Sequence, residues 1–226
     1  MKKIIVFNYL LFPLIGFSQY TPQEIKKYKI SKIIIFSANS DSSETQTTGT
    51  LYDRNGNDTA TLMDGQLYQH SQYKYDAKNK TLKRIVYDHD GSENATAVYN
   101  YKPDGSYIVS NTDKQFGMID YTHFDKTGKI IKTISPDRAE RLYTYDASGK
   151  LLRIKTKPGG NGVLVDIQDT YNPKGQLVKE VSKGEFKWTT TYSYDAKGLI
   201  TKAVRTSSEG GTETTKYYSY QYEFWK

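Results

Sequence analysis

Tyrosine offers the most chemistry in this chain. There are 21 tyrosines among 226 residues, with two tryptophans and no cysteine. Tyr73, Tyr99, Tyr143, Tyr192 and Tyr218, with Trp188 and Trp225, are the candidates for stacking flat rings on a ligand such as a sugar. Each pairs a broad apolar face with a polar tip. The same rings also supply what a narrow sheet has to bury, since tyrosine favours strands. Burial is the heavier reading for each tyrosine, and the balance is closer for Trp225. Two stretches place oxygens at alternating positions, Asp53-Arg54-Asn55-Gly56-Asn57-Asp58 and Asp88-His89-Asp90-Gly91-Ser92-Glu93-Asn94. Calcium takes about six to eight oxygens, and an EF-hand closes its loop with a glutamate that neither stretch supplies at the required spacing. Asp-Gly turns between strands account for both, so no metal is assigned.

Catalytic signatures are thin. There is no Gly-x-Ser-x-Gly elbow, phosphate-binding loop, dinucleotide fingerprint or His-Glu-x-x-His. His70, His89 and His123 share no motif. A glycosidase needs two carboxylates, but 25 acids are scattered along the chain with nothing to select a pair. A glycoside hydrolase is therefore the lesser alternative, and neither a catalytic residue nor a cofactor is assigned.

The elements that would position the rings recur along the chain. Tyr143-Thr144-Tyr145-Asp146-Ala147-Ser148-Gly149-Lys150-Leu151-Leu152 is the clearest copy, and Tyr192 to Ile200 repeats it. Tyr73 to Leu82 is a third copy, read with one extra residue in its turn. Looser copies begin at Tyr99, Thr122, Thr170 and Tyr52, and Tyr218-Ser219-Tyr220 lacks the turn. The second aromatic falls at 52, 75, 101, 124, 145, 171, 194 and 220, a period of 21 to 26 residues. Such a period marks a repeat architecture. An Asp opens each turn and bonds the backbone ahead. A Gly closes it, as in a three-residue hairpin with a bulge. Phe186, Trp188, Thr190, Tyr192 and Tyr194 alternate with Lys187, Thr189, Thr191 and Ser193, the two-residue period of a strand.

About sixteen short antiparallel strands follow from this spacing. Thr21-Pro22-Gln23-Glu24 predicts a short helix, with Thr as cap and Pro in the first turn. Ser37 to Thr48 reads as a polar loop. Counting back from each turn sets Tyr145 against Leu151 and Tyr143 against Arg153. It likewise sets Tyr192 against Lys202, Asp169 against Lys179, Thr122 against Lys132 and Tyr73 against Arg84. Each hairpin would then carry an aromatic–cation or acid–base pair beside an aromatic–aliphatic one.

Composition supplies the address. Met1-Lys2-Lys3 precedes an apolar run from Ile4 to Phe17, the layout of a secretory signal peptide cut near Ser18 or Gln19. Removing it leaves 30 basic residues against 25 acidic, a modest and dispersed excess. No basic stripe marks a nucleic-acid surface, and no later stretch is long enough for a transmembrane helix. The expected divisions are residues 1–19 as signal peptide, 20–49 as an N-terminal segment with the helix, first strand and polar loop, and 50–226 as the repeat domain.

These repeats resemble the YD repeats of the RHS family, whose unit reads roughly Tyr-x-Tyr-Asp-x-x-Gly-x-Leu. The likeness covers about residues 50 to 222 and is strongest at Tyr143–Leu152 and Tyr192–Ile200. It implies a spiralling antiparallel sheet. The chain has too few repeats for the family's large shell, and no room after Phe224-Trp225-Lys226 for a toxin domain. It looks instead like short exported YD-repeat proteins of Gram-negative bacteria. The expectation is an all-β protein, a single curved sheet in hairpin meander. Its expected role is non-catalytic binding at the periplasm, cell surface or beyond, with a surface polysaccharide as ligand. The alternative is a protein–protein module, a periplasmic immunity or assembly factor docking an envelope protein.

Overall fold

A computed structural model describes residues 20–40, 45–136, 139–157, 164–209 and 212–226. The signal-peptide segment 1–19 lies outside the described residues. The chain opens with α1 (Pro22–Tyr28), β1 (Ile30–Asn39), β2 (Thr45–Tyr52), β3 (Asp58–Met63) and β4 (Gln66–Tyr75). Next come β5 (Thr81–Asp88), β6 (Glu93–Tyr101), β7 (Tyr107–Asp113), β8 (Ile119–Phe124), β9 (Ile130–Ile134) and β10 (Glu140–Tyr145). The last are β11 (Leu151–Thr156), β12 (Asp166–Tyr171), β13 (Leu177–Lys183), β14 (Lys187–Tyr194), β15 (Ile200–Glu209) and β16 (Thr212–Phe224). The expected helix is present with a full capping box: Thr21 Oγ1 accepts from Glu24 N, and Glu24 reaches back to Thr21 N. The expected loop from Ser37 to Thr48 is mostly strand, because β1 runs to Asn39 and β2 starts at Thr45.

The expected curved single sheet is corrected. The strands form a closed barrel in which every strand pairs with its sequence neighbours and β1 pairs with β16. The closing ladder runs from Ile30 opposite Phe224 to Asn39 opposite Lys216. The closing strand therefore comes from the segment that the sequence reading had set apart as N-terminal. Closure gives each terminal strand a second neighbour and leaves no open edge.

Register and alternation together decide which side faces in. Ile33 and Ile35 sit opposite Tyr222 and Tyr220 on one flank and Thr50 and Thr48 on the other. Followed around the barrel, this set contains nearly all the buried strand residues, among them Tyr52, Val109, Ile167, Thr190, Tyr192 and Ala203. The exceptions are Ile85 and Thr96, paired with each other on the outer side of β5 and β6, and Gly49, opposite Ile34 on β2. The repeat tyrosines thus share the inner wall. α1 packs at the end where the Asp-Gly turns lie. Ile25 and Tyr20 join Ile30, Ile33, Tyr52, Tyr192, Leu199 and Ile200 in one core cluster. Tyr20 Oη accepts from Ile200 N at 2.8 Å and shares a hydrogen bond with Tyr222 Oη at 3.1 Å.

The turns form as expected, but the pairing beyond them differs. Asp146 N–H donates to the Lys150 carbonyl and Gly149 N–H to the Asp146 carbonyl. Tyr145 then meets Leu151, after which the register breaks so that Thr144, not Tyr143, faces Arg153. Tyr143 faces Ile154, Tyr192 faces Ala203, Asp169 faces Glu180 and Thr122 faces Thr133. One extra residue in the returning strand, a β-bulge, shifts every later pair by one. Tyr73 does face Arg84, because that count had allowed one residue more. The residue belongs to the bulge rather than the turn, which is as long as the others, with Asn79 at φ 59° in the place of glycine.

A bulge interrupts the ladder, and at four of them a tyrosine from the next strand takes up the carbonyl there. Tyr101 Oη donates to Thr81 O at 3.0 Å, Tyr145 to Ile130 O at 2.8 Å, Tyr194 to Leu177 O at 2.6 Å and Tyr222 to Ile200 O at 2.8 Å. The β6–β7 hairpin has no register break, and there the next strand offers Phe124, stacked on Tyr107 at 4.4 Å. Lysines just after the turns cover these rings: Lys80 over Tyr101, Lys129 over Tyr145 and Lys150 over Tyr171, at 4.8 to 5.5 Å. The cation–ring contacts expected within a hairpin are mostly made between hairpins.

Two outcomes follow from this packing. Tyr145→Phe lowers stability by about 1 kcal/mol in urea denaturation, while Tyr121→Phe on the outer face leaves it unchanged. Gly91 has φ +84° with open space beside it, whereas a Cβ on Gly56 (φ +87°) would lie 2.2 Å from the Pro22 carbonyl oxygen of α1. Gly91→Ala therefore costs about 1–2 kcal/mol, and Gly56→Ala costs more because it also displaces α1. Equal midpoints for the two variants would show that α1 does not press on that turn.

Candidate functional site

Six of the seven candidate rings, Tyr73, Tyr99, Tyr143, Tyr192, Tyr218 and Trp188, lie on the inner wall. Trp225 does not: it lies at the turn end, exposed, with the Arg54 guanidinium 5.7 Å from its ring. The six do not form one continuous ladder. Tyr192 and Tyr218 flank Ala203 on β14 and β16, with Trp188 further along β14. Tyr73 and Tyr99 stand on β4 and β6, with Arg84 and Ala97 between them. Tyr143 stands apart on β10. Tyr192 is buried, and the other five remain partly exposed.

Polar side chains interrupt the rings at inward positions. Arg84 is the hub of one group. Its Nη2 pairs with the Asp58 carboxylate, its Nε donates to Ser71 Oγ at 3.1 Å, and its guanidinium lies 5.8 Å from the Tyr73 ring. Tyr73 Oη donates to Asp58 Oδ1 at 2.6 Å. Burial, with the Asp58 charge, pushes the Tyr73 phenol upward, so it stays a donor. Asp58 occupies the place that Leu151, Leu177 and Ile200 fill in other hairpins, at the register break after the turn. Further round, Asn111 Nδ2 donates to Asp120 Oδ1 at 2.7 Å, and Asp120 is raised by burial.

The second group crosses four strands in register. Arg205 on β15, Thr190 on β14, Glu180 on β13 and Asp169 on β12 are successive cross-strand partners. Arg205 Nε donates to Thr190 Oγ1 at 2.9 Å, and its guanidinium lies 4.4 Å from the Trp188 ring. Its Nη2 reaches only to 3.9 Å from Glu180 Oε1. Tyr192 Oη lies 3.5 Å from Glu180 and Tyr171 Oη 3.5 Å from Asp169. Two carboxylates side by side on a largely buried wall are harder to ionise than free ones. Burial raises Asp169 to about 6, and burial with the Asp169 charge raises Glu180 to about 7 against the pull of Arg205.

Sequence reading missed these groups for one reason. Asp169 enters the sequence reading through its hairpin pairing. Its partner was misassigned as Lys179 because the bulge after Tyr171 was not counted. The Asp-rich stretches form hydrogen-bonded turns: Asp53 Oδ1 accepts from Asn55 N and Asn57 N, and Asp88 accepts from Asn94 and Gln69. Among the described residues, no group of three or more His, Cys, Asp or Glu is placed to hold a metal.

The outer face is charged. Arg153 clasps Asp166 with two bonds of 2.8 Å, Glu140 binds Lys132 and Lys157 at 3.4 and 3.3 Å, and Lys32 binds Glu223 at 3.1 Å. β9 has five residues, and β8, β10, β11 and β12 have six each. A membrane-spanning strand needs about 9–11 residues, and its barrel an outward apolar band. No helix of the described residues is long and apolar enough to cross a membrane.

Geometry thus defines a closed antiparallel barrel with a mixed aromatic and ionic inner wall. It is similar in fold to a porin-like protein from Bacteroides uniformis, at a TM-score of 0.54 and 15% identity, covering 87% of this chain and 97% of that one. In sequence it is 28% identical over 172 residues to the tRNA3(Ser)-specific nuclease WapA of Bacillus spizizenii. That stretch is 76% of this chain but 7% of the nuclease. No protein-family model matches the chain.

The raised carboxylates set a pH dependence. Both fall near 4 when unfolded, at 3.8 and 4.5, so between that range and 7 the folded barrel binds protons that the unfolded chain releases. Stability from this pair is therefore present at low pH and lost as pH rises through about 6 and 7. Urea midpoints at pH 5 and pH 8 should show that fall, and Glu180→Gln should flatten it. A Glu180→Gln variant with the wild-type slope would place the titration elsewhere.

Proposed function

We propose that this is an exported, non-catalytic binding protein of the bacterial cell envelope, built from YD-like repeats, whose barrel interior takes carbohydrate. One observation carries the reading: partly exposed Tyr and Trp rings share the inner wall with Asp, Glu, Arg and Thr side chains. Rings pack on the apolar faces of a sugar, and the charged and hydroxyl groups bond its hydroxyls; binding sites commonly combine an apolar lining with a few placed polar groups. Tyr218, Trp188 and Arg205 form the richest such surface. Residues 1–19 supply the export signal. The likeness to a porin-like protein fits an envelope setting. The charges on the outer face favour a barrel standing in water there, since Lys or Arg facing lipid costs about 2–4 kcal/mol each at mid-bilayer. The repeats support membership among short YD-repeat proteins.

The protein–protein alternative has less to rest on. Addition of a partner strand needs an open edge near Tyr220, and there β16 pairs with β1 and β15. A partner would have to use the outer wall, where Val98, Ile119, Tyr121 and Leu142 are exposed.

Glycan-array screening of the mature chain, followed by calorimetry, tests the reading. At least one envelope-type oligosaccharide is expected to bind, and Trp188→Ala is expected to weaken it about tenfold or more. Trp225→Ala, on the outside, leaves affinity unchanged. A silent array, or equal loss from both variants, overturns the interior site.

A further inference from the structure

The seven turns that lead from an even-numbered strand to the next odd one all lie at the end of the barrel that carries α1. Each brings at least one cation there. Arg54, Lys78, Lys102, Lys126, Lys174 and Lys197 are exposed at six of the turns, and Lys150 belongs to the other. α1 and its flank add Lys26, Lys27 and Lys29, all exposed, and Lys226 follows β16. Over residues 20–29, the seven turns and residues 225–226, this end holds thirteen Lys or Arg against seven Asp or Glu. That excess of six is larger than the five that residues 20–226 carry in total, so the rest of the molecule is close to neutral. At the opposite end, the connections among the described residues hold Lys114 and Lys157 against Asp64, Asp90 and Glu185. Charge that is dispersed along the sequence is thus collected at one end by the repeat period. The turn aspartates fold back on their own turns: Asp76 accepts from Lys78 N and Lys80 N at 2.8 Å, and Asp195 from Lys197 N and Leu199 N at 2.9 Å. The ion pairs of the described residues involve none of the turn lysines. Apolar groups accompany the cations. Phe224 and Trp225 are exposed at this end, and Leu82, Ile131 and Leu152 are exposed two residues past their turns.

We propose that this end of the barrel docks on an anionic lipid surface, with the turn lysines and α1 against phosphate headgroups and Trp225 and Phe224 at headgroup level. Attachment of this kind draws on both features present here, attraction of cations to anionic lipid and burial of apolar area. Each Lys or Arg near such a surface adds to binding, and the attraction acts only within a screening length of it. Tryptophan suits the boundary, where its ring is half in water. A lipid surface can meet the turns of one barrel end together, whereas a linear acidic polymer would meet a few at a time. The barrel itself stays out of hydrocarbon, in keeping with the ion pairs on its outer wall. The docking end uses none of the inward rings and does not rest on the carbohydrate reading.

Vesicle sedimentation of the mature chain tests this. Phosphatidylcholine vesicles are compared with vesicles in which about one third of the lipid is phosphatidylglycerol. The chain is expected to partition to the anionic vesicles at least about tenfold more strongly, and to leave them as salt rises toward about 1 M, where screening acts within about 3 Å. At about 0.15 M salt, Lys78→Gln, Lys126→Gln, Lys174→Gln and Lys197→Gln combined should lower partition about tenfold or more. Lys114→Gln, Lys157→Gln, Lys183→Gln and Lys187→Gln combined remove the same charge at the opposite end and should change it by less than about twofold. All eight lysines are exposed, so both variants keep the fold, and the far-ultraviolet strand signature checks this. Equal partition to neutral and anionic vesicles, or equal loss from the two variants, overturns the proposal. Polygalacturonate at matched charge is the competing arm, and a preference for it over the anionic vesicles overturns the lipid assignment in favour of an acidic polymer. A silent glycan array beside anionic-vesicle binding removes the interior site and leaves the docking end standing.

Discussion

The ladder between β1 and β16 is the contact on which the rest of the molecule depends. A sheet with tyrosines along one face has to hide that face, and an open meander of this length would expose both the rings and two strand edges. Pairing the first strand with the last answers both demands at once. β1 is suited to the task because its Ile33 and Ile35 meet Tyr222 and Tyr220 inside while Lys32 meets Glu223 outside. α1 then finishes the seam. Ile25 and Tyr20 fill the turn end beside it, and the Tyr20 phenol ties the segment before β1 to Ile200 on β15.

Much of this was legible from residue spacing. The Asp-x-x-Gly turns, the number of strands, the common side of the tyrosines and the Thr21 cap all follow from local chemistry, and local chemistry is what a sequence displays. Closure was not legible, since β1 lacks the repeat and its partner lies almost 190 residues away. Register was legible only up to the first bulge. The bulge has no residue signature of its own in Leu151-Leu152 or Ile200-Thr201. It leaves an indirect trace, because the next strand carries Tyr where a bulge has freed a carbonyl and Phe124 where there is none.

That single-residue shift also explains the state of the candidate site. By simple counting, Asp169 would meet Lys179 and Tyr192 would meet Lys202, giving a wall of neutralised pairs. The bulges instead send Lys179 and Lys202 outward, toward water, and set Glu180 beside Asp169 on the inside. On the opposite wall an inward acid is paired from within. Asp58, in a place other hairpins give to leucine or isoleucine, receives both the Arg84 guanidinium and the Tyr73 phenol. One interior acid thus takes a close ion pair from its own chain, whereas the other two have only phenols at 3.5 Å and an arginine at 3.9 Å.

The similarity to a porin-like fold and the charged exterior are compatible once barrel geometry is separated from its solvent. Strand number and closure respond to the need to pair every backbone group, a need that holds in water as well as in lipid. The choice of solvent is written in the outward side chains alone. Here those positions hold Arg153 with Asp166 and Lys132 with Glu140, pairs that water solvates cheaply and hydrocarbon does not. The inward positions hold the phenols and the buried acids. The outward ion pairs therefore set this barrel apart from one whose outer band is apolar throughout, as lipid requires.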